Sequence, residues 1–237
     1  MNQPSLLAII PARAGSKRIP HKNVKPLAGK PLIWHTIECA LHCPGISRVI
    51  VSTDAPSIGE LARDAGADVP FLRPPELAAD ATPTIEVILH ALNWLEQNEA
   101  ITYQYLAVLQ PTSPLRTITD IETAFALLCS SPAQSIVSVT GAPIEGDHLV
   151  RIEGGTVRLS SGPEANQDFY KLNGAIYISR TKTILATGHL SGGTVIPYYM
   201  PGSRSIDIDT PDDFQMAEAL VALNCGGDFH GHAQGGD

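Results

Sequence analysis

Leu6-Leu7-Ala8-Ile9-Ile10-Pro11-Ala12-Arg13-Ala14-Gly15-Ser16-Lys17 is the stretch on which the fold turns. Five apolar residues run without a break and stop at a proline. A strand with one wet face alternates apolar and polar residues, so an unbroken run reads as a strand buried on both faces. The chain then changes character at once and stays polar and cationic to about Lys30. A doubly buried strand that opens directly into a charged loop is the signature of an open α/β sheet with ligands at its carboxyl edge.

Working outward, the same pattern recurs. Arg48–Ser52, Tyr105–Leu109 and Ser135–Val139 read as further buried strands, with another short strand at Ala67–Leu72. Between them lie helical periods. One starts at Pro31 with Ile33, Ile37, Ala40 and Leu41 as its stripe. Another covers Ser57–Ala65 and stops at Gly66. A third covers Thr84–Asn98 with Ile85, Ile88, Leu89, Leu92 and Leu95, and a fourth covers Ile118–Cys129. Alternating strand and helix predicts an α/β fold built on a mostly parallel, doubly wound sheet. The order then changes. His148–Ile152 and Thr156–Leu159 flank Gly154-Gly155 as a hairpin, Ala175–Ser179 is a strand, and Gly188–Ser205 reads as loop. Thr210 is placed to cap a final helix carrying Phe214, Met216, Ala217, Leu220 and Val221. Residues 1–224 are expected to form one domain, with 141–205 as an extension. The glycine-rich residues 225–237 are expected to be a disordered tail, and His230 and His232 fall in it.

Composition narrows the function. The net charge of −8 argues against a protein that coats nucleic acid. Cys39, Cys43, Cys129 and Cys225 form no CxxC pair, which favours idle thiols in a reducing cytoplasm over disulfides or zinc. The N-terminus lacks signal-peptide design and no apolar stretch is long enough to span a membrane, so a cytoplasmic location is expected.

Three loops follow strand ends or precede a helix with unusual chemistry. In the first, Arg13, Lys17, Arg18, Lys22 and Lys25 place five cations in thirteen positions, and Gly15 and Ser16 let backbone N–H groups approach an anion. Such a cluster suits a triphosphate, which carries roughly four negative charges near neutral pH. The loop is neither a Walker loop nor a GxGxxG fingerprint. A solvated basic loop is the plainer reading, but the loop leaves a buried strand directly. The second loop, Leu109–Arg116, is stiffened by Pro111 and Pro114 and puts Gln110 where the strand ends. On position alone, a structural amide and a ligand contact are equally good accounts of Gln110. The third is Ser205–Asp209. Alternation along an extended segment puts Asp207 and Asp209 on one face, where they could share Mg²⁺, the usual companion of a triphosphate. Surface aspartates, or Asp209 as a helix cap, are the alternatives.

Taken together, the chain resembles the acylneuraminate cytidylyltransferase family, whose members make CMP-sialic acid and related CMP-nonulosonates. The resemblance rests on an ordered set: Ile10–Lys17 with Lys22-Asn23, Gly29–Ile33, Val51–Asp54, Leu72–Pro74 with Glu76–Ala78, Leu109–Thr117, Asn173–Ile178 and Ile206–Thr210. It implies a nucleotide-diphospho-sugar transferase-like fold, and a homodimer in which the 141–205 extension takes part. It also implies roles. Arg13 and Lys22, beside Ala12, Ala14, Gly15 and Ser16, would hold the triphosphate of CTP. Asn23, Arg73 and Thr82–Thr84 would contact the nucleoside. Asp207 and Asp209 would hold Mg²⁺. Gln110, Asn173, Gly174 and Tyr177 would line the acceptor side. The reaction would be attack of an acceptor oxygen on the α-phosphorus with loss of pyrophosphate.

The acceptor side departs from the sialic acid pattern. Ile118–Tyr170 holds only Arg151 and Arg158 as cations, both in the predicted hairpin, and Lys171 is the only one just before Asn173. The acceptor would therefore be an acidic small molecule such as a nonulosonate, with a legionaminate or pseudaminate, or a smaller acid such as a phosphonate, as variants. A nucleotide-binding protein without catalysis is the reading from another class. A nicotinamide-dependent oxidoreductase is disfavoured by the missing GxGxxG.

Overall fold

The computed structural model describes residues 5–141, 149–159 and 169–225. Its strands are β1 (Leu6–Pro11), β2 (Pro26–Leu27), β3 (Lys30–Pro31), β4 (Ile46–Ser52), β5 (Tyr105–Val108), β6 (Ser135–Gly141), β7 (Leu149–Glu153), β8 (Thr156–Leu159), β9 (Tyr170–Arg180) and β10 (Val195–Tyr199). Its α-helices are α1 (Leu32–Leu41), α2 (Pro56–Asp64), α3 (Thr84–Glu99), α4 (Ile118–Cys129), α5 (Thr181–Thr187) and α6 (Pro211–Cys225). The main sheet runs β10-β6-β9-β5-β1-β4, with β7 on β9 and β8 on β7. β1 pairs in parallel with both β4 and β5, and β6 pairs in parallel with β10. Only β9 lies antiparallel in the path, between β5 and β6.

The sidedness of β1 sets the layers. Leu6, Ala8 and Ile10 pack on one face with Ile33 and Ile37 of α1, Ile58 and Ala62 of α2, and Ile121 and Ala124 of α4. Leu7 and Ile9 pack on the other with Ile88, Ala91 and Leu95 of α3 and Ile184 of α5. All five apolar residues of β1 are fully buried, as the unbroken run predicts. No helix among the described residues is long and apolar enough to cross a membrane. Cys39, Cys43 and Cys129 are free thiols, and burial pushes the Cys39 thiol up to about 11, away from reactivity.

Several local expectations are corrected. Ala67–Leu72 forms no strand: Asp68 makes a single bridge to Ile50, and Pro70, lacking an N–H, ends the pairing. The loop expected over Gly188–Ser205 contains β10, whose Pro197 lowers its strand signal but is tolerated at a sheet edge. α5 follows β9 directly and shows too short a period to read. β9 itself is eleven residues long, well beyond Ala175–Ser179. Leu41 and Met216 are exposed, not parts of buried stripes. The last helix extends through Cys225; of the predicted tail, residues 226–237 lie outside the described residues, as do His230, His232 and the hairpin's first residue, His148.

Candidate active site

β1 and β5 are neighbours, and their outgoing connections diverge, toward β4 and toward β6. Such a switch point opens a crevice at the carboxyl edge. Here it is a cavity of about 300 Å³ lined by Arg13, Gly15, Ser16, Lys22, Asn23, Arg73, Thr82, Thr84 and Gln110 among others. The loop after β1, the segment after β4 and the loop after β5 thus meet in one place, as three stretches distant in sequence.

The basic loop is held from behind. Ala12, fully buried, donates its N–H to the Ser52 carbonyl at 3.0 Å, and Ala14 donates to Asp54 Oδ1 at 2.9 Å. Asn23 is nearly buried and donates Nδ2 to the Arg13 carbonyl at 2.9 Å, which closes the loop on itself. A Cβ on Gly15 would meet no protein atom within 4 Å, so that position faces open space. Arg73 is buried. Its guanidinium donates to the Ser52 carbonyl, to Ser52 Oγ at 3.2 Å and to the Leu77 carbonyl at 3.5 Å. Burial lowers its pKa, because the charged form loses hydration.

The cations are already paired. Arg13 Nη1 lies 2.9 Å from Asp80 Oδ1, and Lys17 Nζ contacts Asp80 Oδ2. Lys22 Nζ lies 3.2 Å from Asp209 Oδ1 and donates to the Ile208 carbonyl at 2.5 Å; Arg18 Nη1 lies 3.2 Å from Asp209 Oδ2. Asp207 and Asp209 are not in a strand, yet the extended run keeps the alternation: Ile208 is fully buried between them. Burial raises the Asp207 pKa, with the neighbouring Asp209 charge adding to it and Lys22 opposing it. Asp209 does not cap α6. Asp213 Oδ2 instead accepts from Asp209 N and Thr210 N, while Thr210 Oγ1 accepts from Asp213 N at 3.3 Å.

The acceptor-side residues divide. Ile208 N donates to the Thr112 carbonyl at 2.8 Å, which ties the aspartate segment to the loop of Gln110. Gln110 lines the cavity, and its side-chain amide has no hydrogen-bond partner among the described residues. Gly174 has φ +72°, and a Cβ there would sit 3.0 Å from Gln110 Oε1 and 3.5 Å from Asp207 Oδ2. Gly174→Ala is therefore expected to cost about 1–2 kcal/mol of stability from the left-handed backbone alone. Turnover should fall more than the melting temperature suggests, since the methyl presses on the Gln110 side chain; thermal melts and pyrophosphate release would check this. Asn173 is buried with its amide spent internally: Oδ1 accepts from Ser138 Oγ at 2.5 Å and Nδ2 donates to Ser205 Oγ at 2.9 Å. It braces the wall and does not line the cavity. Tyr177 is half-buried, and burial with the Asp207 charge pushes its hydroxyl up to about 12.

Sequence reading missed Asp80, which belongs to the cavity. It lies in the aperiodic run Ala78–Pro83, and an acid is not what a triphosphate subsite leads one to seek. Thr112 was also missed; it sat in view within the Gln110 loop, lines the cavity and accepts from Ile208 N on its carbonyl.

A mostly parallel α/β sheet, a basic loop on β1 and an aspartate pair facing it together define a nucleotidyltransferase. The family model described as cytidylyltransferase matches residues 7–186. A CMP-N,N'-diacetyllegionaminic acid synthase of Legionella pneumophila is 38% identical over 231 residues, 92% of this chain and 97% of that protein. An N-acylneuraminate cytidylyltransferase of Escherichia coli is 38% identical over 220 residues, 90% of this chain but 51% of that protein. A pseudaminic acid cytidylyltransferase of Campylobacter jejuni is 30% identical, covering 92% and 97%. The chain thus spans nearly all of the Legionella and Campylobacter proteins and about half the length of the E. coli one. Among solved structures, CMP:2-keto-3-deoxy-manno-octonic acid synthetase complexed with CTP shares the fold with TM-score 0.77 at 18% identity, over 93% of this chain and 99% of that one. The chain belongs to the cytidylyltransferase family, in its acylneuraminate group.

Proposed function

We propose that this chain joins CMP from CTP to a nonulosonic acid and releases pyrophosphate. The observation that carries the reading is the convergence of the Arg13–Lys25 loop, Arg73 and Gln110 on one cavity, with Asp209 held at its edge by Lys22. Arg13, Lys17 and Lys22 have the charge to hold the triphosphate. Asn23, Arg73, Thr82 and Thr84 form the wall left for the nucleoside. An acceptor hydroxyl attacks the α-phosphorus: the new O–P bond forms, the bond to pyrophosphate breaks, and the hydroxyl proton passes to solvent. Catalysis is positioning and charge neutralisation, because little covalent work falls to the protein.

Asp207 and Asp209 suit Mg²⁺. No group of three or more metal-ligating side chains occurs among the described residues, and two carboxylates completed by phosphate oxygens match how this ion is held beside a triphosphate. When bound, Mg²⁺ would offset charge on the reacting phosphates.

For the acceptor, Lys171 takes the part of the missing basic residues. It is exposed, lies on β9 two positions before Asn173, and its charge is felt by both Asp207 and Asp213. It makes no ion pair among the described residues, so it is free to meet a carboxylate. The relatives named for legionaminic, pseudaminic and N-acylneuraminic acids support a nonulosonate as the acceptor. We further propose a cytoplasmic homodimer in which the 141–205 part of a single 1–224 domain takes part; exposed Leu159 and Tyr199 give that part apolar surface.

A panel of nonulosonates and phosphonates, assayed for pyrophosphate release with CTP and Mg²⁺, tests the reading. Turnover should need all three components. Turnover with phosphonates alone would move the acceptor class, and tight CTP binding without any turnover would favour a nucleotide binder. Lys171→Ala should raise the KM for the acid by about tenfold, the size of one charge-assisted contact, and leave the KM for CTP unchanged.

A further inference from the structure

The phosphate-facing cations pair with two aspartates in different ways. Asp209 takes Lys22 and Arg18, and belongs to the segment proposed for Mg²⁺. Asp80 takes Arg13 and Lys17, one carboxylate oxygen to each cation, and stands inside the cavity wall. It arrives from a separate segment, between Leu77 and Thr84, and is the one acidic residue among the described residues that line the cavity. Its place resembles that of a phosphate group, with two oxygens spread over two cations. Those cations hold its own pKa down, the Lys17 hydrogen bond foremost, so it is an anion throughout the working pH range.

Arg13 and Lys17 cannot serve Asp80 and a polyphosphate at once without bringing like charges together. We propose that Asp80 is an internal counter-anion of the phosphate subsite, a positioning residue that acts through Arg13 and Lys17. It competes with the triphosphate for them and, once the new bond is made, helps displace pyrophosphate. This rests on the triphosphate reading of the site. No covalent step is involved; one set of ion pairs replaces another. A site built only for affinity would leave this carboxylate out. A site that must let go of a highly charged product gains from keeping it, because product release often limits turnover.

The test is titration calorimetry of the full chain with inorganic pyrophosphate and, separately, with CTP, for wild type, Asp80→Asn and Asp80→Ser. The side chain is well exposed, and both replacements are small and polar. Both variants should bind pyrophosphate about threefold to tenfold tighter than wild type, the size of competing exposed ion pairs. The KM for CTP should fall in the same sense, while kcat falls or holds. Lys17→Ala should weaken pyrophosphate binding more in the D80N background than in wild type, because Asp80 no longer occupies that lysine. A merely structural aspartate would give the opposite sign: looser binding and a raised KM. Wild type binding both ligands, with D80N and D80S no tighter, overturns this inference alone. Wild type binding neither ligand overturns it together with the triphosphate site.

Discussion

Asp209→Asn is expected to lower the rate of pyrophosphate release by about two to three powers of ten, with the melting temperature within a few degrees of wild type. The carboxylate stands at the cavity edge, 3.2 Å from Lys22 and 3.2 Å from Arg18, and about half of its side chain is exposed. Exposed ion pairs contribute little to folding, about 0–1 kcal/mol each. A carboxylate that holds Mg²⁺ against the reacting phosphates, the role proposed for Asp209, is different in kind, because its charge acts there through the metal. Removing one such electrostatic element costs about 3–4 kcal/mol of transition-state stabilisation, or two to three powers of ten in rate. The amide keeps the shape but loses the charge, so it separates these two quantities. Steady-state rates over a Mg²⁺ titration, with circular dichroism as the folding control, would check it. Near-normal turnover would sink the assignment of Asp209 to the reacting phosphates.

The second large effect lies away from the cavity. Asp120→Asn should destabilise the fold by about 3 kcal/mol, the lower end of the cost of breaking a buried ion pair, since its partner Arg204 is one-third exposed. For a domain of this size that is a fall in melting temperature of roughly 6–12 °C. Asp120 is almost wholly buried. It accepts from Arg204 Nη2 at 2.8 Å and Nε at 3.0 Å, from the Tyr198 hydroxyl at 2.8 Å, and from Thr117 N at 2.9 Å, where it completes the capping box of α4. One carboxylate thereby fastens α4, the edge strand β10 and the segment that leads into Asp207. Turnover should fall as well, through displacement of that segment.

The same group gives a pH signature. Burial works to raise the Asp120 pKa, but the hydrogen bonds from Arg204, Thr117 and Tyr198 outweigh it and leave it below the ordinary carboxylate value. A carboxyl depressed in the folded state binds fewer protons there than in the unfolded chain. Its stabilisation is therefore full above the unfolded pKa, about 4, and is lost as pH falls through the folded value. The stability gap between wild type and D120N should be constant near neutrality and close below about pH 4. Denaturant melts at a series of pH values would show a parallel pair of curves if Asp120 is not the group responsible.

The sequence by itself determined the strands β1, β4, β5 and β6, the burial of β1 on both faces and the loop residues proposed for the nucleotide. Leu6–Ile10 announces burial on both faces because apolar residues at consecutive positions of a strand must point both ways, and β1 packs accordingly against α1 and α3. Arg13, Gly15, Ser16, Lys22 and Asn23 were legible because one short loop after a buried strand carries them all. Gln110 was legible as a position but not as a contact. Its meaning came only with the approach of Gly174, sixty-four residues on, brought by β9, of which the sequence announces Ala175–Ser179 but not the antiparallel pairing with β5. The tertiary structure alone decided that Asp80 neutralises Arg13 and Lys17, and that Asp120 anchors Arg204 across eighty-four residues. The physical reason is the same in both cases. Hydrophobic period and turn chemistry are written in neighbours along the chain. Charge pairing depends on distance in space, and that is set only when the sheet has ordered its strands.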